Sequence, residues 1–273
     1  AVGGSRRWSG LVIVPVVRAR GADAAQQSRV DPAPQRGEHP PRVVLAGHPA
    51  TLAARARRPG GRHAGVRVLG ADVWEGRWVG VVLDSGAGEP VALVAATVAE
   101  LVARAEADGE RLAVVALDIP IGLHDTAPRA ADLAARRALG PRASSVFATP
   151  VRAALEAPDH AEAVRISRAA TGAGTSVQAY GLRHRVLEVD AWVGSGGPGG
   201  RRLVEVHPEL SFAAMASGRP LEARKKSWAG AVRRRSLLAA HGVVLPDELG
   251  EAGAAAVDDV LDAAAVAWTA RRV

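Results

Sequence analysis

The sequence predicts an α/β domain built on one mixed sheet, and three observations predict it. Residues 66–96 carry three short β-rich runs separated by glycine turns, the pattern of an antiparallel meander. LAVVALD at 112–118 is continuously apolar, as a central strand paired in parallel and covered on both faces should be. Helical, alanine-rich stretches then lead to one more β-rich run, RLVEVHP at 202–208, and to a helical end. The order βββαβ, helices, β, α describes a single mixed-sheet domain over 65–273, with no internal repeat.

The first strand is VRVLGAD at 66–72, the second WVGVVLD at 78–84 and the third VALVAA at 91–96, with Gly76 and Ser85–Gly88 turning the chain between them. Thr97 caps a helix running to about Ala107, with Val98, Leu101, Val102 and Ala105 on one face, and Asp108-Gly109 ends it. Pro120 and Gly122 stop the fourth strand. Residues 128–170 read as mostly helical, broken at Gly140-Pro141, Pro150 and Pro158. Gly172–Ser176 superficially resembles a phosphate-cradling loop, but no clear strand precedes it and it reads as a connection. Residues 177–192 are helical or mixed and end in the Gly194–Gly200 run. After the last strand two helices are expected, roughly 221–241 and 254–271, joined by a Gly242–Gly253 connector.

Composition bounds the chemistry. With 273 residues, 48% of them hydrophobic, the chain can bury a real core, and with no cysteine it has no disulfide, thiolate metal site or cysteine nucleophile. The formal charge of +7 is uneven: residues 1–64 hold eleven Arg, no Lys and three acids, leaving a balance of −1 over 65–273. A basic-protein argument for nucleic-acid binding therefore fails for the domain. Residues 1–64 are rich in Arg, Pro and Gly and are expected to be disordered. Their apolar run, Leu11 to Val17, contains Pro15 and is far shorter than the roughly 20 residues a membrane helix needs, so no membrane association is expected. Ser5-Arg6-Arg7 ahead of it faintly resembles a twin-arginine export signal, but the run is too short, and a cytoplasmic location is expected. The chain starts with Ala, and Arg outnumbers Lys by 33 to 2, as in a GC-rich gene; a start assigned upstream of a true one near Ala64 is the ordinary explanation of the extension.

The informative acids sit at element ends. Asp72 closes the first strand, Asp118 closes the fourth, Glu205 lies in the last strand, and Asp258, Asp259 and Asp262 open the final helix. Each alone has a structural explanation, as an Asx turn, a helix cap or a solvated edge residue. Together they suggest more, because neighbouring buried carboxylates repel unless cations neutralise them. Hard oxygen ligands with few histidines suit Mg²⁺ or Mn²⁺ better than Zn²⁺. Asp262 shares a helical face with either Asp258 or Asp259, and spacing leaves open which is its partner. His207, between a strand and Pro208, is expected to be structural. Trp74, Trp78, Trp192, Trp228 and Trp268 are expected to fill the core. There is no P-loop, no His-Glu-x-x-His helix and no Gly-x-Ser-x-Gly elbow.

In order along the chain, GADVWEGRWVGVVLD, LDIPIGL, RASSVFATP, GTSVQAYGL, EVHPELSF, RKKSWAG and VDDVLDAAAVAWTARR resemble the bacterial family known as domain of unknown function 429, whose members are predicted nucleases of RNase H-like fold. The resemblance spans about 66–272; Ala71 stands where the family usually has Val. It implies a five-stranded mixed sheet with the first strand central, flanked by helices, and a helical insertion after the fourth strand, about 123–200. The Asp-x-x-Asp-Ala run at 259–263 also resembles the last-helix motif of Holliday-junction resolvases of that fold.

The mechanism implied is hydrolysis of DNA or RNA with two metal ions, roughly 4 Å apart, on the scissile phosphate. Asp72 would bridge both ions, Asp118, Asp259 and Asp262 would complete the ligand set, and Glu205 would be an outer ligand or base. Lys225 and Lys226 would meet substrate phosphate, Arg233-Arg234-Arg235 would extend a basic helix, and Gln178, Ser144 and Ser145 would line the cleft. The competing expectations are a protein of this fold that binds nucleic acid or a partner without turnover, and an ATP-using phosphotransferase of the related sugar-kinase and actin type. The latter is disfavoured because the first turn carries only Gly76 and the chain holds one domain.

Overall fold

Strand alternation and two helical layers account for the architecture of the computed structural model, which describes residues 12–13, 66–84, 88–126 and 128–273. The strands are β1 (Val12–Ile13, backbone only), β2 (Val68–Trp74), β3 (Arg77–Leu83), β4 (Val91–Ala95), β5 (Val114–Leu117) and β6 (Arg202–Glu205). They form one mixed sheet in the order β1-β6-β5-β2-β3-β4. β2, β3 and β4 are the antiparallel meander, while β2, β5, β6 and β1 run parallel. The five strands expected from sequence are present with β2 in the middle. The two-residue β1 pairs with the far side of β6, and the expected disorder of residues 1–64 otherwise lies outside the described residues.

The β2–β3 connection is a two-residue hairpin at Glu75-Gly76, with φ of 46° and 70°. Two successive left-handed residues match the twist of the flanking strands, and glycine adopts that conformation without steric cost. β2 alternates across the sheet. Leu69 and Ala71 face one core with Val115, Leu117 and Leu203, against α1 (Val98–Ala105) and later Val186 and Val189. Thr97 caps α1, its hydroxyl accepting the Glu100 N–H at 3.1 Å, as its sequence context predicts.

Between β5 and β6 the chain is helical: α2 (Ala130–Leu139), a 3₁₀ turn at Gly140–Ser145, α3 (Arg152–Leu155), α4 (His160–Thr171), α5 (Val177–Gly181) and α6 (Arg183–Gly194). Asp159 and Ser176 cap α4 and α5. The expected breaks at Gly140-Pro141, Pro150 and Pro158 all fall between helices.

After β6 the expectation of two helices is corrected to three: α7 (Pro208–Met215), α8 (Trp228–Ala240) and α9 (Val257–Ala270), with a 3₁₀ turn at Gly250–Ala254. The last strand stops at Glu205, and Pro208, whose fixed φ suits a first helical position, opens α7. That helix is buried nearly all round and so lacks the amphipathic period that reveals a helix in sequence. α8 begins at its Ser227 cap, later than the periodicity suggested.

α9 packs directly on β2 and, with α7 and α8, covers the second sheet face; Val68, Ala116, Val204 and Val206 meet Phe212, Leu238, Val260 and Ala267 there. Gly70 permits the contact. A β-carbon at that position would stand 2.0 Å from the Ala267 nitrogen and 2.6 Å from the Ala263 carbonyl oxygen. The helix backbone therefore rests on the strand backbone, close to Asp72 on one element and Asp262 on the other. Among the described residues, no helix is long and apolar enough to cross a membrane.

Candidate metal-binding active site

Register and alternation decide which acids meet. Ala71, Leu117 and Glu205 stand level across β2, β5 and β6, and the Asp118 N–H donates to the Ala71 carbonyl at 2.9 Å. One residue further along, Asp72 and Asp118 point to the α9 face, two positions beyond Gly70 and Ala116. Glu205, two residues beyond Leu203, belongs to the opposite face. β2 runs on to Trp74 in its hairpin with β3, so Asp72 does not close the strand as expected. It stands just past the last parallel pair, Ala71 with Leu117, and with Asp118 and Glu205 surrounds the carboxyl edge of the parallel strands, where ligands of open α/β sheets bind.

A cavity of about 520 Å³ opens at that edge, and Asp72, Asp118, Glu205, Asp258, Asp259 and Asp262 all line it. Lys225 enters from the loop before α8: its Nζ donates to Asp262 Oδ2 at 2.7 Å and lies 3.4 Å from Asp258 Oδ2, with Lys226 Nζ 4.0 Å from the same oxygen. Asp258 and Asp262 are therefore the pair that shares Lys225, resolving what spacing left open, while Asp259, half-buried, occupies the same wall and its charge is felt by Asp72 and Asp118.

Withdrawal from water raises Asp72, Asp118, Asp259 and Asp262, and repulsion from neighbouring carboxylates adds to it. Burial pushes Asp72 well above the usual carboxylate range, Asp118 and Asp262 push it further, and Lys225 pulls it partly back. Asp118 is raised by burial and by Asp262, Glu205 and Asp259 against Lys225, Asp259 by burial and by Asp258, and Asp262 reaches about 6 through burial despite its ion pair with Lys225. Burial opposes the charge on Lys225, but Asp262, Asp72 and Asp258 together hold its ammonium above the ordinary lysine range. The buried Asp262 Oδ1 accepts no hydrogen bond, and the buried Asp258 Oδ2 has only its longer ion-pair approaches to Lys225 and Lys226.

The donor set and the unpartnered Asp262 Oδ1 fit a hard divalent cation. Among the described residues, however, no three His, Asp or Glu side chains already stand together as a ready-made ion cage, and Lys225 sits among the acids instead.

Glu205 is held differently. Its Oε2 accepts the Ile121 N–H at 2.8 Å and a bond from Arg129, whose guanidinium also reaches Thr149, Asp132 and the Ile121 carbonyl. Burial raises its pKa even against Arg129. Gln178 is exposed on the cavity wall, and Ser144 and Ser145 line it as well. His207 lines the cavity, with Nε2 3.4 Å from the Ser145 carbonyl and a buried, unpartnered Nδ1; burial lowers its pKa.

Two expectations are corrected. Arg233–Arg235 is no basic face: Arg234 is fully buried, pairs with Glu209 and stacks over Phe212, and Arg235 pairs with Asp247. Nor does Trp228 fill the core, being 85% exposed, whereas Trp78 and Trp268 are buried. The sequence reading missed Asp132 and Glu209 on the cavity wall and the arginines that satisfy them, Arg129 and Arg234. Charges on short helices resemble ordinary solvated faces, and only their pairing partners, remote in sequence, mark them as interior.

A family model described as Protein of unknown function (DUF429) matches residues 70–273. The chain belongs to this family. The DUF429 match begins at Gly70 and takes in every acid of the cavity together with Lys225, Lys226 and Gln178. No curated protein and no solved structure matches the chain.

Proposed function

We propose that this DUF429 chain is a metal-dependent nuclease of RNase H-like type that hydrolyses phosphodiester bonds of DNA or RNA. One observation carries the reading: Asp72, Asp118, Asp258, Asp259 and Asp262, brought from two strand segments and a distant helix, share one cavity in which burial disfavours the charge of Asp72, Asp118, Asp259 and Asp262 and the buried Asp262 Oδ1 accepts no hydrogen bond. Lys225 offsets only part of the charge of five adjoining carboxylates, and a bound cation would offset the rest. The central position of β2 and the helices between β5 and β6 support reading the fold as RNase H-like with a helical insertion.

Asp72, Asp118, Asp259 and Asp262, with Asp258 beside them, would hold Mg²⁺ or Mn²⁺. A bound ion of this kind supplies Lewis acidity and charge for phosphodiester hydrolysis. The protein's own groups do the rest. Asp72 sits in β2 and its Oδ1 accepts the Val73 N–H at 2.6 Å, which favours this orientation of the carboxylate. Lys225 neutralises part of the cluster and, with Lys226, offers positive charge to substrate phosphate. Gln178, exposed on the cavity lining, can hydrogen-bond substrate. Glu205, anchored by Arg129, holds the strand edge and stands ready as an outer ligand or base.

The test is cleavage of a panel of single-stranded, duplex and branched DNA and RNA with Mg²⁺ or Mn²⁺. Wild-type protein is expected to cut at least one substrate class, and Asp72→Asn to lose that activity by at least a hundredfold, the scale of losing a group that acts on the transition state. No cleavage of any substrate, with wild type and variant indistinguishable, refutes the reading.

A further inference from the structure

Trp228 is the largest hydrophobic side chain left in solvent among the described residues. It follows Lys225 and Lys226, both on the cavity wall, and Ser227, whose hydroxyl accepts the Gly230 N–H at 3.1 Å and fixes the start of α8. Consecutive Cα atoms are 3.8 Å apart, so the Trp228 Cα lies within about 8 Å of that of Lys226. The indole thus starts a capped helix two residues after a cavity-lining lysine, and it is 85% exposed. Lys226 beside it is 79% exposed, and Arg224 and Arg233 are exposed too.

We propose that Trp228 is a stacking platform for an unpaired base of the substrate strand, with Lys226 on the intervening phosphate; this rests on the nuclease reading and names its substrate class. The chemistry is complementary: an indole offers a π face to any base, and a neighbouring ammonium meets the backbone. A duplex interior offers no free base face, so the site takes single strands or duplexes with an unpaired or extruded nucleotide. Along α8 the next exposed large apolar side chain is Val232, one turn on beside the exposed Arg233, so this helix alone offers too little for the buried apolar centre of a protein interface.

The experiment measures binding of short single-stranded and duplex DNA and RNA by fluorescence anisotropy at one salt concentration, with Ca²⁺ in place of Mg²⁺. Wild type, Trp228→Ala and Trp228→Phe are compared, and thermal unfolding checks that the exposed substitutions leave the fold intact. Single strands are expected to bind more tightly than duplex. Trp228→Ala should weaken single-strand binding roughly five- to 150-fold and leave duplex binding unchanged, while Trp228→Phe retains most of the affinity. Strand-induced quenching of tryptophan fluorescence should diminish in Trp228→Phe. Equal single-strand affinity in wild type and Trp228→Ala overturns the proposal and leaves the nuclease reading standing. A fall in oligomeric mass of Trp228→Ala by sedimentation, with strand affinity unchanged, also overturns it and assigns the indole to a protein contact. No binding of any nucleic acid by the wild type overturns both.

Discussion

Replacing Gly70 by alanine should separate α9 from β2 and disable the site without touching an acid. The added β-carbon would stand 2.0 Å from Ala267 N, 2.5 Å from Ala267 Cα and 2.6 Å from Ala263 O, all backbone atoms of a helix. Real contacts begin near 3.0 Å, so the helix must withdraw by about 1 Å, since no side-chain rotation can relieve a backbone clash. We expect a loss of about 3 kcal/mol, the upper end for overpacking, and a fall in Tm of roughly 6–12 °C for a domain of this size. The same withdrawal carries Asp258, Asp259 and Asp262 away from Asp72 and Asp118. A misplacement of that size costs about a hundredfold where chemistry needs aligned groups. Urea unfolding and Mn²⁺ titration of Gly70→Ala measure the two effects. A variant within about 0.5 kcal/mol of wild type, with unchanged ion affinity, refutes the claim that backbone contact between helix and strand sets the acid geometry.

The raised carboxyl pKa values predict a pH dependence. An acid with a higher pKa folded than unfolded favours the fold when protonated; that contribution is complete below about pH 4 and is lost as pH rises through the folded value, about 6 for Asp262. Metal-free Asp72→Asn, a neutral isostere, should therefore match wild type at pH 4 and exceed it in Tm at pH 7.5. Mn²⁺ should reverse the order, adding about 2.7 kcal/mol to wild type at a hundredfold excess over Kd and little to the variant; calorimetry showing a wild-type advantage at pH 7.5 without metal contradicts the argument. Arg234→Met leaves Glu209 buried without its partner and should cost about 3–5 kcal/mol in denaturant unfolding, with Glu209→Gln in the same chain restoring part of the loss. If the single substitution is neutral, the pair contributes nothing to the packing of α7 against α8.

Local pattern made much of the scaffold legible. The meander, the Thr97 cap and the apolar 112–118 strand each depend on neighbours in sequence, and each appears where its residues predict. Position after an apolar run also made Asp72 and Asp118 visible, although only Asp118 follows its strand, while Asp72 lies inside β2. Helix α7 was not legible, since a segment buried on every side carries no period, and neither were Arg129, Asp132, Glu209 and Arg234, which look like surface charge until their partners are seen.

The residues by themselves determined the kinds of element, the inventory of oxygen ligands and the absence of thiol chemistry, because these follow from propensity and composition. Only the tertiary structure decided that Asp258 shares Lys225 with Asp262, that Glu205 leaves the opposite sheet face and pairs with Arg129, and that Trp228 stands in water. Those outcomes depend on strand register and on the close seat of α9 over Gly70, and contacts between segments far apart in the chain leave no local trace in its sequence.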